Sequence, residues 1–95
     1  MITTAQRASL RKLANALDPI FQIGKGDIGE TLVAAVDAAL EKRELVKLSV
    51  LETAGLTAKD AAEQLAERTN ADVVQCIGRR FVLYRESRKH KRIEV

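Results

Sequence analysis

The feature that most constrains this chain is a glycine-rich run, Gly24-Lys25-Gly26-Asp27-Ile28-Gly29. It lies between a short apolar segment, residues 19–23, and a long segment of helical periodicity, residues 30–43. Glycine lets the backbone adopt positive φ and lets a ligand approach bare main chain. The first turn of a helix also points unpaired N–H groups and the positive end of its dipole at the preceding turn. The run is therefore typical of a strand–turn–helix unit that attracts phosphate.

The remaining periodicities predict three helices and four strands. Residues Ile28, Leu32, Val36 and Leu40 recur every fourth position, which predicts a helix with one apolar stripe. Residues 45–51 alternate between apolar and polar side chains, which predicts a strand with one buried face. Gly78-Arg79 is typical of a two-residue type II′ hairpin turn. The predicted elements, in chain order, are a helix at 3–16, a strand at 20–23, a helix at 30–43, a strand at 45–51, a helix at 57–69, and strands at 73–77 and 81–85.

This order predicts an α/β (α+β) fold. Strand–helix–strand units lay helices on a sheet through right-handed crossovers, and the final hairpin makes the sheet mixed. A length of 95 residues with 46% apolar residues suits one small core. We therefore predict a single domain over residues 1–95, with two layers, a four-stranded mixed sheet, and a loosely ordered basic tail at residues 86–95.

Charge is distributed unevenly although the net charge is only +3. Residues 1–26 and 77–95 are basic, whereas residues 27–76 carry more acidic than basic side chains. If the two ends of the chain meet in space, they form one positive face, which is the usual electrostatic footprint of a polyanion binder. A solvated face with a basic tail is the simpler interpretation of the same pattern.

Two kinds of phosphate site fit the glycine run. It spells G-x-G-x-x-G, the fingerprint of a dinucleotide-binding turn. However, the chain is too short for the usual six-stranded dinucleotide fold. A G-x-x-G clamp on a nucleic-acid backbone is the alternative, in which main-chain N–H groups and the side chain of Lys25 meet phosphates.

No catalytic or metal-binding constellation is visible, so we predict that the protein is not an enzyme and needs no cofactor. Cys76 alternates with Val74 and is predicted to be a buried apolar thiol. A single cysteine precludes an internal disulfide, as is usual in the reducing cytoplasm, where we expect the protein. No apolar run is long enough to span a membrane. Only three aromatic residues are present, which disfavours RNA binding through stacked aromatic platforms.

Three separated blocks resemble one known family. Residues 19–26 (PIFQIGKG), 39–47 (ALEKRELVK) and 74–85 (VQCIGRRFVLYR) resemble the CRM domain, named for chloroplast RNA splicing and ribosome maturation, in its short stand-alone bacterial YhbY-like form. The resemblance implies a fold like that of the C-terminal domain of translation initiation factor three. It also implies binding to ribosomal RNA in precursors of the large ribosomal subunit, a role in their assembly, and no catalysis.

The resemblance places the family's G-x-x-G loop on Gly24, Lys25, Gly26 and Asp27, with Asp27 where the fourth glycine is expected. The predicted RNA-binding residues comprise this loop and the basic side chains of the first helix and the hairpin: Gly24, Lys25, Gly26, Asp27, Arg7, Arg11, Lys12, Arg79, Arg80 and Arg85. We expect a monomer that binds RNA and neither a membrane nor a small-molecule substrate. A nucleotide-binding module that uses residues 24–29 and a protein-interaction adaptor are the alternatives.

Overall fold

The computed structural model describes residues 2–24, 28–89, 91 and 93. It confirms the predicted order of three helices and four strands, with bounds that differ by at most two residues. A short 3₁₀ turn at Glu52–Ala54 was not predicted. The elements are α1 (Thr4–Ala14), β1 (Phe21–Ile23), α2 (Glu30–Arg43), β2 (Leu45–Val50), α3 (Ala58–Thr69), β3 (Asp72–Ile77) and β4 (Arg80–Tyr84).

Local sequence explains where α1 and α3 begin. The Thr3 hydroxyl accepts a hydrogen bond from the Gln6 N–H, and the Gln6 side chain accepts one from the Thr3 N–H, which forms a capping box. The Thr57 hydroxyl accepts from the Asp60 N–H at 3.0 Å. By contrast, α2 begins after Gly29, which contributes no side-chain cap.

The four strands form one mixed sheet in the order β1-β2-β4-β3. Strand β1 is parallel to β2, and β4 is antiparallel to both β2 and β3. The hairpin turn has Gly78 at φ +60°, whereas Arg79 has no positive φ. This pair of conformations agrees with the type II′ turn predicted from the sequence.

Helices cover both faces of the sheet, so the prediction of two layers needs correction. Helices α2 and α3 pack on one face, against Val46, Leu48, Phe81 and neighbouring residues. Helix α1 packs on the opposite face, through Leu10 and Ala14, against residues of β2, β3 and β4: Leu45, Val74, Val82 and Tyr84. Alternate residues of β2 and β4 therefore contribute to two separate apolar clusters, and the molecule has three layers.

The two ends of the sheet differ in what they hold. At one end, which we call the glycine end, the Leu51 N–H donates to the Ile23 carbonyl at 2.9 Å and the Val50 N–H donates to the Arg79 carbonyl at 2.7 Å. The chain leaves β1 at this end, through Gly24, and the hairpin turn lies at the same end on the other side of β2. At the other end, the tail end, the Arg85 N–H donates to the Glu44 carbonyl at 2.9 Å.

The described part of the tail, which was expected to be loosely ordered, contacts the C-terminal end of α2. Glu44 is fully buried, and its carboxylate accepts hydrogen bonds from the N–H groups of Ser87 and Ile93, each at 2.7 Å. Glu41 accepts from the Ser87 hydroxyl at 2.6 Å and from the Arg88 N–H at 3.1 Å. Two carboxylates thus hold the main chain of the tail.

A β-bulge changes the environment of Cys76. Val74 and Gln75 together oppose Val82, because the register of β3 shifts between Val73 and Gln75. The alternation used to place Cys76 beside Val74 therefore breaks at the bulge. Cys76 is exposed, and the prediction of a buried thiol was wrong.

Candidate nucleic-acid interface

Helix α1 presents its basic side chains away from its packed face. Leu13 lies near Leu45 of β2 and Ile93, so this side of the helix faces β2 and the tail. Helical spacing then directs Arg7 and Arg11 to the other flank, which is nearer the edge strand β3. Arg7 is half-buried, Arg11 is exposed, and Lys12 is exposed on the outer surface of α1.

The hairpin brings Arg80 onto the same face of the sheet as α1. Arg80 alternates with Val82 and Tyr84, both of which pack beneath α1, yet Arg80 itself is exposed. In the described part of the chain its guanidinium makes no hydrogen bond or ion pair. Arg80 is therefore free to meet an anion on this face.

Arg79, at the tip of the hairpin, has an acidic neighbour. One guanidinium nitrogen lies 3.3 Å from a carboxylate oxygen of Glu52, and both side chains are largely exposed. Exposed ion pairs contribute little free energy, typically below about 1 kcal/mol. A phosphate could therefore displace Glu52 at low cost.

The glycine run begins at the same end of the sheet as this hairpin, on the other side of β2. Gly24 follows β1 at the glycine end, and a β-carbon added there would lie 3.7 Å from Leu51 Cδ1, an ordinary contact. Lys25, Gly26 and Asp27 lie outside the described residues. On their far side Ile28 is buried, and its carbonyl accepts a hydrogen bond from Arg68 at 2.9 Å.

Arg85 does not join the other predicted contacts. It follows β4 at the tail end, and its side chain is only 10% exposed. Its guanidinium donates to the Asp37 carboxylate, to the Asp37 carbonyl and to the Thr69 carbonyl, with Glu41 at 3.9 Å. These bonds commit the side chain to joining α2, α3 and β4, so we leave Arg85 out of the candidate interface, and its RNA contact stays a prediction.

Sequence reasoning missed Lys47, which lies in the middle of β2 on the α1 face. Its ammonium donates to the carbonyls of Ala14 and Leu17, at 3.4 and 3.3 Å. The Ala14 carbonyl is at the C-terminal end of α1 and the Leu17 carbonyl lies just beyond it, where a positive charge is favourable to the helix dipole. The Ala14 carbonyl also accepts from the Leu17 N–H at 3.0 Å. The signal that could have found it is a lysine in the interior of a strand otherwise rich in apolar residues.

The described residues offer little for other kinds of site. They contain no group of three side chains suited to holding a metal ion, and no helix among them is long and apolar enough to span a bilayer. Phe81 and Tyr84 are buried, and desolvation raises the pKa of Tyr84. Neither ring is therefore available to stack on a base.

Comparisons with known proteins agree with this architecture. Residues 2–85 match the CRS1 / YhbY (CRM) domain. The chain is 42% identical over 95 residues to "Probable RNA-binding protein YqeI" of Bacillus subtilis, covering 100% of this chain and 99% of that protein. It is 32% identical over 90 residues to "RNA-binding protein" of Haemophilus influenzae, covering 95% of this chain and 91% of that protein.

A solved structure extends the likeness to three dimensions. The solution structure of the hypothetical protein SAV1595 from Staphylococcus aureus superposes with a TM-score of 0.79 at 44% sequence identity, covering 100% of this chain and 99% of that one. The domain match over residues 2–85 also includes the glycine run, α1 and the hairpin. The chain therefore belongs to the CRS1/YhbY (CRM) domain family.

Proposed function

We propose that this protein is a non-catalytic RNA-binding protein that acts as a cytoplasmic monomer, binds ribosomal RNA in precursors of the large ribosomal subunit and assists their assembly. The relatives named as RNA-binding proteins support the broad class. The ribosomal target follows from the family resemblance alone. The geometry of the described residues supports the contact surface that we assign.

One observation supports the surface most directly: the exit of β1 toward the glycine run and the hairpin turn that precedes Arg80 lie at the same end of the sheet, on either side of β2. Val50 of β2 connects the two. It pairs with Ile23 at the end of β1, and its N–H donates a hydrogen bond to the Arg79 carbonyl in the hairpin turn. We propose that RNA phosphates bind at this end of the sheet, to the Arg80 guanidinium and to the glycine run with Lys25.

The basic side chains of α1 extend this surface along one face of the sheet. Arg80 and Asn15, just past the end of α1, line the same depression, and Arg11 lies one helical turn before Asn15. A phosphate backbone that follows this face would meet Arg80 first and then Arg11, Lys12 and Arg7. Backbone contacts of this kind position RNA without reading its sequence.

The salt dependence of binding tests the proposal. A labelled fragment of large-subunit ribosomal RNA is titrated with the protein at several salt concentrations, and the logarithm of affinity is plotted against the logarithm of salt concentration. Each phosphate contact contributes about 0.7 to 0.9 to the slope. Arg80→Gln, Arg11→Gln and Lys12→Gln should each weaken binding and reduce the slope by up to that amount.

Lys42→Gln is the matched control, because Lys42 is an exposed cation in the last turn of α2, in the layer on the other side of the sheet. It should leave the slope unchanged. A slope that falls for Lys42→Gln and not for the α1 and hairpin variants would refute the assigned surface. Crosslinking in cells tests the target, since attached RNA drawn mainly from outside immature large subunits would refute the ribosomal role.

A further inference from the structure

An open row of side chains crosses the whole sheet at the glycine end. The strand register aligns Gln22 with Ser49, Ser49 with Arg80, and Arg80 with Ile77. Three strand spacings of about 4.8 Å give the row a length of about 14 Å. It lies on the α1 face, but α1 ends at Ala14 and covers only the part of that face nearer the tail end.

Two depressions flank Arg80 along this row. The first, of about 220 Å³, lies toward β3 and is lined by Asn15, Lys47, Gln75 and Ile77. The second, of about 320 Å³, lies toward β1 and is lined by Ile20, Gln22 and Ser49. Arg80 lines both. Each is at or below the lower limit of the pockets of about 300 to 1,000 Å³ that hold drug-sized ligands, so each suits one small planar group.

The lining combines three chemistries that a nucleotide needs. The amides of Asn15, Gln22 and Gln75 each offer two donors and one acceptor, and within the described residues none of them makes a side-chain hydrogen bond. Arg80 supplies a cation for a phosphate. Ile77, 68% exposed, supplies an apolar surface.

Amides distinguish this row from the rest of the basic face. Phosphate oxygens only accept hydrogen bonds, so any donor can bind them, whereas a side-chain amide carries both donors and an acceptor and can also pair with the donor and acceptor atoms on base edges. In a paired RNA helix those edges lie in a deep, narrow major groove or face a wide, shallow minor groove, and side chains reach unpaired bases far more readily. A base can stack on an arginine guanidinium as well as on an aromatic ring.

We propose that the row Gln22–Ser49–Arg80–Ile77, with the two depressions beside it, binds an unpaired segment of RNA. Successive bases lie on either side of Arg80. Gln75 and Asn15 contact the base toward β3, Gln22 contacts the base toward β1, and Arg80 binds the phosphate between them. The inference rests on the proposed RNA-binding function and adds a preference for single-stranded over duplex RNA.

Two labelled RNA probes separate this inference from general RNA binding: a blunt hairpin closed by a non-nucleotide linker, in which every base is paired, and the same hairpin with an unpaired extension of uridines and adenosines. The unaltered protein should bind the extended hairpin more tightly. Gln75→Met keeps the volume of the side chain and removes its donors and acceptor. It should weaken binding of the extended hairpin about two- to tenfold, with no change for the blunt hairpin and no change in salt slope.

Gln64→Met is the matched control, since Gln64 is an exposed amide on α3, in the opposite layer. It should bind both probes like the unaltered protein. An independent readout is the set of backbone amide NMR signals of Gln75, Ile77 and Arg80, which should shift on addition of the unpaired strand alone.

Equal affinity of the unaltered protein for the two hairpins would overturn the inference and leave RNA binding intact. Unmoved NMR signals along the row would also overturn it. If neither probe bound at all, the proposed function would fail with it.

Discussion

At the scale of single residues, two arginines that appear equivalent in the sequence differ in how deeply their side chains are buried. Arg80 begins β4 and Arg85 directly follows it, and both belong to the basic C-terminal part of the chain. Arg80 reaches solvent on the open part of the sheet, whereas Arg85 is enclosed by acceptors from α2 and α3. A buried guanidinium must keep its partners, because unpaired buried charges cost several kcal/mol.

Arg85→Met should lower the free energy of unfolding by about 2 to 3 kcal/mol, because it removes charge-assisted hydrogen bonds to Asp37 and Thr69. Denaturation by urea measures the change. Arg88→Met is the control, since Arg88 is exposed and its side chain makes no bond in the described residues; its effect should stay within about 0.5 kcal/mol. A stable Arg85→Met protein with reduced RNA affinity would contradict the structural role.

At the scale of elements, chain reversals depend on a few residues with special backbone angles. Helix α3 ends at Asn70, which adopts a left-handed conformation with φ 60° and ψ 36°. Its N–H donates to the Ala66 carbonyl, as does the N–H of Ala71 at 2.9 Å. Asparagine tolerates this conformation better than most residues, so the end of the helix is locally encoded.

Asn70→Ala should reduce stability by about 1 kcal/mol, because alanine keeps the unfavourable approach of the β-carbon to the following carbonyl oxygen and lacks the short polar side chain that lets asparagine tolerate this conformation. Asn70→Gly at the same site should change stability by only a few tenths of a kcal/mol, since glycine takes positive φ readily. Urea unfolding of both variants measures the change in stability. The m-value, which is the slope of the free energy of unfolding against urea concentration, should stay unchanged. Equal losses for the two variants would show that the asparagine side chain, rather than the backbone angle, matters.

At the scale of the whole molecule, the described residues of the C-terminal tail pack against the end of the sheet that we call the tail end. Ile93 packs with the α1-side cluster, which also includes Ile2, so both chain ends contact one apolar group. The carboxylates of Glu41 and Glu44 hold the main chain that leads there. Glu41 binds the main-chain N–H groups of Arg88 and Lys89, and the side chains of these two residues are exposed to solvent.

Acid should release this part of the tail. The Ser87 hydroxyl and the Arg88 N–H lower the pKa of Glu41 from 4.5 to about 2, so the carboxylate is favoured in the folded state. Its contribution to stability is complete above about pH 4.5 and is lost as pH falls toward 2. The amide NMR signals of Arg88 and Lys89 in the folded protein should titrate with a midpoint near pH 2. Glu41→Gln should abolish that titration, whereas Glu63→Gln, on the exposed side of α3, should not.

The sequence by itself determined the element order, the caps of α1 and α3, the hairpin turn and the mixed sheet, because each depends on side-chain periodicity or backbone preference within a few residues. Tertiary structure decided which face α1 covers, the exposure of Cys76, the role of Arg85 and the docking of the tail. Periodicity tells which side of an element is apolar, but not which partner covers it. The carboxylates that hold Arg85 and Ser87 lie more than 40 residues earlier in the chain, and only the packed sheet brings such residues together.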